Sequence, residues 1–164
     1  MKRTVGYILI MSILLLSLCS CGIFNGSAPS GTDVFFSNCG VDFSQAKVTG
    51  RYNYNSASLR GGFSLNSFSY DDSGSEVTLE KQISENLKWR AYPLSKNVMQ
   101  LFDSSIPAKY IPQTNSGYYF FYDMHKDSTD PFDDSKIFDR KDIKVVIALY
   151  IPEDRSLYIY DYHS

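Results

Sequence analysis

Two kinds of side chain in this sequence could do chemistry: three cysteines, at positions 19, 21 and 39, and an imidazole, His125, set among acids. Residues 123–127 read Asp-Met-His-Lys-Asp, and Asp130, Asp133, Asp134 and Asp139 follow. A histidine among carboxylates could act as a general acid or base, or help to hold a metal ion. The spacing fits no EF-hand, because the loop glycine and closing glutamate are missing, and the only other histidine is His163, so no zinc set is complete. Lys136, Arg140 and Lys141 alternate with the acids, which is the composition of a solvated loop. A small hydrolase or metal-dependent enzyme built on His125 is the alternative. No serine sits in a nucleophile-elbow pattern, no cysteine is matched to a histidine, and no metal or cofactor is expected.

The paired cysteines end an apolar run. Met1-Lys2-Arg3 is a short basic start, and Val5 to Leu18 is apolar apart from Gly6, Tyr7, Ser12 and Ser17. That is the pattern of a secretory signal, and its core falls short of the ~20 residues a membrane-spanning helix needs. Leu18-Cys19-Ser20-Cys21 resembles the lipobox of bacterial lipoprotein precursors, which places an apolar residue at −3 and small residues at −2 and −1 before the acceptor cysteine. With Cys19 as acceptor, Leu18 would fill −1, where a small residue is needed; with Cys21, Ser20 fills it. The resemblance therefore implies lipidation of Cys21, whose thiolate would take a diacylglyceryl group as a thioether. Two acyl chains hold a protein on a bilayer where one does so only marginally. An ordinary cleaved signal and an uncleaved N-terminal helix are the alternatives.

Residues 1–20 are thus expected to be a lipoprotein signal peptide, which leaves 144 of the 164 residues, one domain's worth. Lys2 and Arg3 leave with it, so 14 bases face 18 acids, a charge of −4. No basic patch is large enough for nucleic acid. Residues 21–33, rich in Gly, Ser, Pro and Asn, read as a flexible lipid tether with a coil span of about 20 Å. Residues 34–164 form the domain. Its one cysteine, Cys39, has no Lys, Arg or His in its immediate stretch to activate it, so a small buried hydrophobe is expected and a disulfide framework is ruled out by number.

Alternating aromatic and β-branched residues predict strands at 47–54 and 63–70, with Phe63 and Leu65 on one face and Phe68 on the other. The intervening NSASLRGG, with Gly61 and Gly62, reads as a connecting loop. Leu79, Ile83 and Leu87 at four-residue spacing predict a helix over 76–86. Ser95 is a good N-cap for a second helix over 96–102, with Leu94 placed to staple onto Met99. Strands follow at 117–125, 142–151 and 156–163, the last two joined by Pro152-Glu153-Asp154-Arg155 as a hairpin. Closing it with Ile151 opposite Ser156 sets Val145, Ile147 and Leu149 on one face with Tyr162, Tyr160 and Tyr158. The order β-β-α-α-β-β-β predicts an α+β domain: an antiparallel sheet of about five strands, one face covered by two short helices.

Tyr158, Tyr160 and Tyr162 are the candidate interaction surface. Exposed, such a stripe suits a protein or glycan, and buried, it is the core face of the last strand. With WRAYPLSKNV, GYYFFYDMH, LALY and LYIYDYH, residues 60–163 resemble small uncharacterised lipoproteins of Gram-positive bacteria, a family with no assigned activity. The resemblance implies a location: the extracytoplasmic face of the cell membrane, held by a diacylglyceryl anchor. The expected role there is that of a binding or accessory module with an envelope protein or glycan as partner.

Overall fold

The structure is a computed structural model and describes residues 30–56, 61–71 and 78–164. The expected signal peptide, Cys19, Cys21 and most of the expected tether lie outside the described residues. No helix among the described residues is long and apolar enough to cross a membrane.

Ser30 caps the first helix, α1 (Gly31–Asn38). The Asp33 N–H donates to Ser30 Oγ and the Ser30 N–H donates to Asp33 Oδ2, both at 3.2 Å, which satisfies two end donors reciprocally. The tether reading of residues 21–33 is therefore corrected at its end, where Gly31, Thr32 and Asp33 are helical. Composition misled there because an eight-residue helix owes little to propensity: it is held by fully buried Phe35, whose ring packs edge-on against Trp89 and Phe120.

Strands β1 (Ala46–Ser56) and β2 (Gly61–Tyr70) pair antiparallel, with a bulge between Val48 and Gly50. Gly61 and Gly62 belong to β2 rather than to the connection. Gly61 runs beside the chain end, where a Cβ would meet the His163 carbonyl oxygen at 2.4 Å, so tertiary contact accounts for the glycine. Helix α2 (Leu79–Ser84) is shorter than expected, and Leu87, expected on its buried stripe, is completely exposed. The chain has already turned at Asn86 to start β3 (Trp89–Ala91). Helix α3 (Lys96–Ser105) starts at its expected cap, Ser95, and is followed by a 3-10 turn, Ala108–Tyr110. Strands β4 (Tyr118–Asp123), β5 (Lys144–Ile151) and β6 (Ser156–His163) complete the domain.

The fold is α+β, with a six-stranded antiparallel sheet of order β1-β2-β6-β5-β4-β3. The sixth strand is β3, three residues at the edge beside β4, too short for an alternation pattern to reveal. The hairpin has the expected register, with Ile151 opposite Ser156, Leu149 opposite Tyr158, Ile147 opposite Tyr160 and Val145 opposite Tyr162.

Both faces of the sheet are covered, a second correction. On one face Val146, Ala148, Leu157 and Ile159 pack with Phe35, Leu79 and Ile83 of α1 and α2. On the other, Ile147, Leu149 and Tyr160 pack with Val98, Leu101 and Phe102 of α3. This explains why β5 after Lys144, from Val145 to Ile151, is buried at every position and lacks polar alternation: a strand covered on both faces has no solvent side. Phe63 and Leu65 join the α3 side and Phe68 the α1 side, as their spacing predicts.

The register also defines two ends of the sheet. Asp123, Lys144 and His163 lie at one, and Ala91, Tyr118 and the 152–155 turn at the other. Gly31 lies toward the first end, its N–H donating to Asp161 Oδ2 at 2.7 Å.

Candidate functional site

At the His163 end, the His125 neighbourhood is closed upon itself. His125 Nδ1 lies 2.8 Å from Asp123 Oδ1 and Nε2 lies 3.1 Å from Asp142 Oδ2, while Arg140 Nη1 donates to Asp123 Oδ2 at 2.8 Å. Burial opposes charge on the imidazole, but hydrogen bonds to Asp142 and Asp123 outweigh it and raise its pKa. Burial also disfavours the Asp123 carboxylate; bonds from the His125 backbone and ring, with Arg140, outweigh it and lower that pKa. Both ring nitrogens are engaged, and the adjoining space is about 10 Å³, the limit for one water. Among the described residues no group of three or more His, Cys, Asp or Glu is arranged to hold a metal ion.

The loop carrying these acids is packed rather than merely solvated, which corrects the composition reading. Ile137 is buried, Phe132 packs edge-on to Phe120, and Asp134 is 7% exposed. Asp134 is the centre of a polar latch. Its carboxylate accepts from Arg90 Nη1 at 2.7 Å and from the Ser95 hydroxyl, and its backbone oxygen accepts from Asn97 Nδ2 at 2.9 Å. Arg90 also donates to the Phe132 carbonyl and, at 3.4 Å, to the Tyr119 hydroxyl. One buried acid thus ties β3, the start of α3 and the 125–143 loop together. Ser95 still caps α3, accepting from the Val98 N–H at 3.2 Å.

The tyrosine stripe is not an exposed platform. Tyr160 is fully buried, its ring 5.0 Å from Phe102 and its hydroxyl donating to the Tyr110 carbonyl at 2.6 Å; Tyr162 is 9% exposed and Tyr158 half-buried. Helix α3 and the turn after it cover this face, so Tyr158, Tyr160 and Tyr162 do structural work. Further half-buried aromatics lie at the β1 edge, where the Tyr52 and Tyr110 rings meet at 4.1 Å and Tyr54 packs on buried Phe63. Cys39 is fully buried, as expected, and burial pushes its thiol pKa up.

An open concave surface lies at the other end of the sheet, along the β3–α3 connection. Three adjoining hollows of about 610, 360 and 710 Å³ form one groove. Tyr92 and Asn115 are shared by the first two, and Leu94, Met99 and Asp103 by the last two. The latch at Asp134 holds Arg90 of β3 and Ser95, the cap of α3, and α3 supplies one wall through Met99 and Asp103. The opposite wall is held by Gly117, whose carbonyl accepts from the Tyr92 N–H at 3.0 Å. Gly117 has φ +128°, and a Cβ there would lie 2.4 Å from the Tyr150 carbonyl oxygen. On the floor, burial pushes the Tyr92 hydroxyl up to about 12, and that hydroxyl makes no hydrogen bond among the described residues. Met99, expected to staple the helix start, is 48% exposed on the groove wall.

The candidates that the sequence singles out are therefore not brought together: His125 and the tyrosine stripe occupy separate places, and the groove uses neither. Its signal in the sequence was weak, consisting of Met99 as an apolar residue on the outward side of a short helix. Compared with known proteins, the chain matches no family model, no curated protein and no solved structure.

Proposed function

We propose that this protein is a lipid-anchored extracytoplasmic module of the cell envelope, held in the membrane through Cys21, that works by binding a partner in the Tyr92–Met99 groove rather than by catalysis. One observation carries the binding half of this reading. The groove opens at the Ala91/Tyr118 end of the sheet, while α1, the element that follows the anchoring segment, begins beside Asp161 toward the opposite end. A surface so placed faces away from the point of attachment and is free to meet a partner. The hydrolase alternative has His125 between two carboxylates in its favour, but both ring nitrogens are occupied and the hollow lined by His125, Asp123 and Asp142 is about 10 Å³, too small for a substrate.

Metabolic labelling with a palmitate analogue tests the anchor. Cys21→Ser abolishes the label and moves the protein out of the membrane fraction, whereas Cys19→Ser leaves both intact. Label lost with Cys19→Ser and kept with Cys21→Ser overturns the assignment.

A further inference from the structure

On the reading of the groove as the binding surface, we propose that its occupant is an extended segment of another envelope protein in which aliphatic and basic side chains alternate. The chemistry of the walls selects this class. Carboxylates of Glu80, Glu153 and Asp103 line the groove along its length, and among the described residues the only basic side chain lining it is Lys96. Between the acids, Leu94, Met99, Ile111 and Pro112 stand beside the rings of Tyr92, Phe102 and Tyr118 and offer apolar pockets for side chains such as Leu or Ile. At the rim Asn115 brings an amide that can satisfy a peptide backbone leaving water, while Gln113 Nε2 already donates to the Ile111 carbonyl at 3.4 Å and the Thr114 hydroxyl is engaged with the Ser116 backbone. The Tyr92 hydroxyl on the floor lacks a partner of its own among the described residues and can serve the same purpose. A bilayer is the wrong occupant, since α1 begins toward the other end of the sheet and anionic lipid would be repelled by the three acids.

The test uses the full chain in phosphatidylcholine nanodiscs, with empty discs as blank, and fluorescein-labelled hexapeptides of alternating Lys and Leu or of alternating Glu and Leu. Anisotropy is expected to rise with the Lys-Leu peptide only. Met99→Arg, at an exposed position and therefore without effect on the unfolding midpoint, weakens binding at least tenfold by filling the groove with positive charge. Asp103→Asn weakens it about threefold, the scale of one exposed ion pair. Asp139→Asn, the same change of charge in the loop near the opposite end, leaves it within about 1.5-fold. Equal weakening by Asp139→Asn and Asp103→Asn would show attraction to bulk charge and overturn the proposal, as would failure of the Lys-Leu peptide to bind. A photo-crosslinker at Gln100 on intact cells separates the two levels of inference. A protease-resistant, glycosidase-sensitive adduct keeps the groove as the binding surface and overturns the peptide class, whereas no adduct at all, with no peptide bound, overturns both.

Discussion

Replacing Asp134 with alanine is expected to destabilise the domain by about 2 kcal/mol. The carboxylate is 9% exposed and holds two donors, Arg90 and the Ser95 hydroxyl. Arg90 is 37% exposed, so water can take over much of its lost partner, and its share is about 0.5–1 kcal/mol, the scale of a solvent-screened pair. The Ser95 hydroxyl is half-buried and loses an acceptor, adding roughly 1–1.5 kcal/mol. Ser95→Ala alone removes the same bond together with the helix cap, at about 2 kcal/mol. Because the two substitutions share that bond, the double variant should cost about 3 kcal/mol rather than the additive 4. Trp89, the single tryptophan, neighbours Arg90 and is 6% exposed, so its fluorescence reports unfolding of this region in urea. With a urea slope of about 1–3 kcal/mol per M, the Asp134→Ala midpoint falls by roughly 1 M. A shift under about 0.2 M, or strict additivity with Ser95→Ala, would refute the latch.

Other outcomes follow from the same geometry. Gly31→Ala should cost about 1–3 kcal/mol, because the new Cβ would sit 2.4 Å from Asp161 Cγ and push the α1 N-terminus off its carboxylate; an unchanged urea midpoint counts against that contact. Tyr160→Ala should cost about 3–5 kcal/mol and Ile147→Ala about 2–5, as fully buried side chains do, with thermal melting as the check. The raised pKa of His125 means its contribution is complete below the unfolded value near 6.5 and is lost as pH rises through the higher folded value. Stability should therefore fall above pH ~6.5, and His125→Gln should flatten that step in midpoints measured from pH 5 to 9; an identical profile for the two proteins would contradict it. Asp123 works in the other direction, holding stability above its unfolded pKa near 4 and losing it as pH falls through the lowered folded value.

What could be read from the amino acids alone was the part governed by local rules. Alternation located β1 and β2, an apolar, aromatic-rich run on each side of four turn residues located β5 and β6 and fixed the hairpin register, and Ser95 marked the start of α3, because residue pattern, turn length and capping act over a few residues. Tertiary structure decided the rest. Helix α1 is eight residues long and exists because Phe35 finds Trp89 and Phe120, far along the chain. Strand β3 exists because β4 offers it an edge, and the tyrosine stripe is core because α3 folds over it. Asp134 was one acid among many in a charged loop until Arg90 and Ser95, some forty residues earlier, gave it a buried place. No spacing encodes the groove, since its walls come from β3, α3, the 111–117 segment and the 152–155 turn, and a cavity is the space that packing leaves between elements.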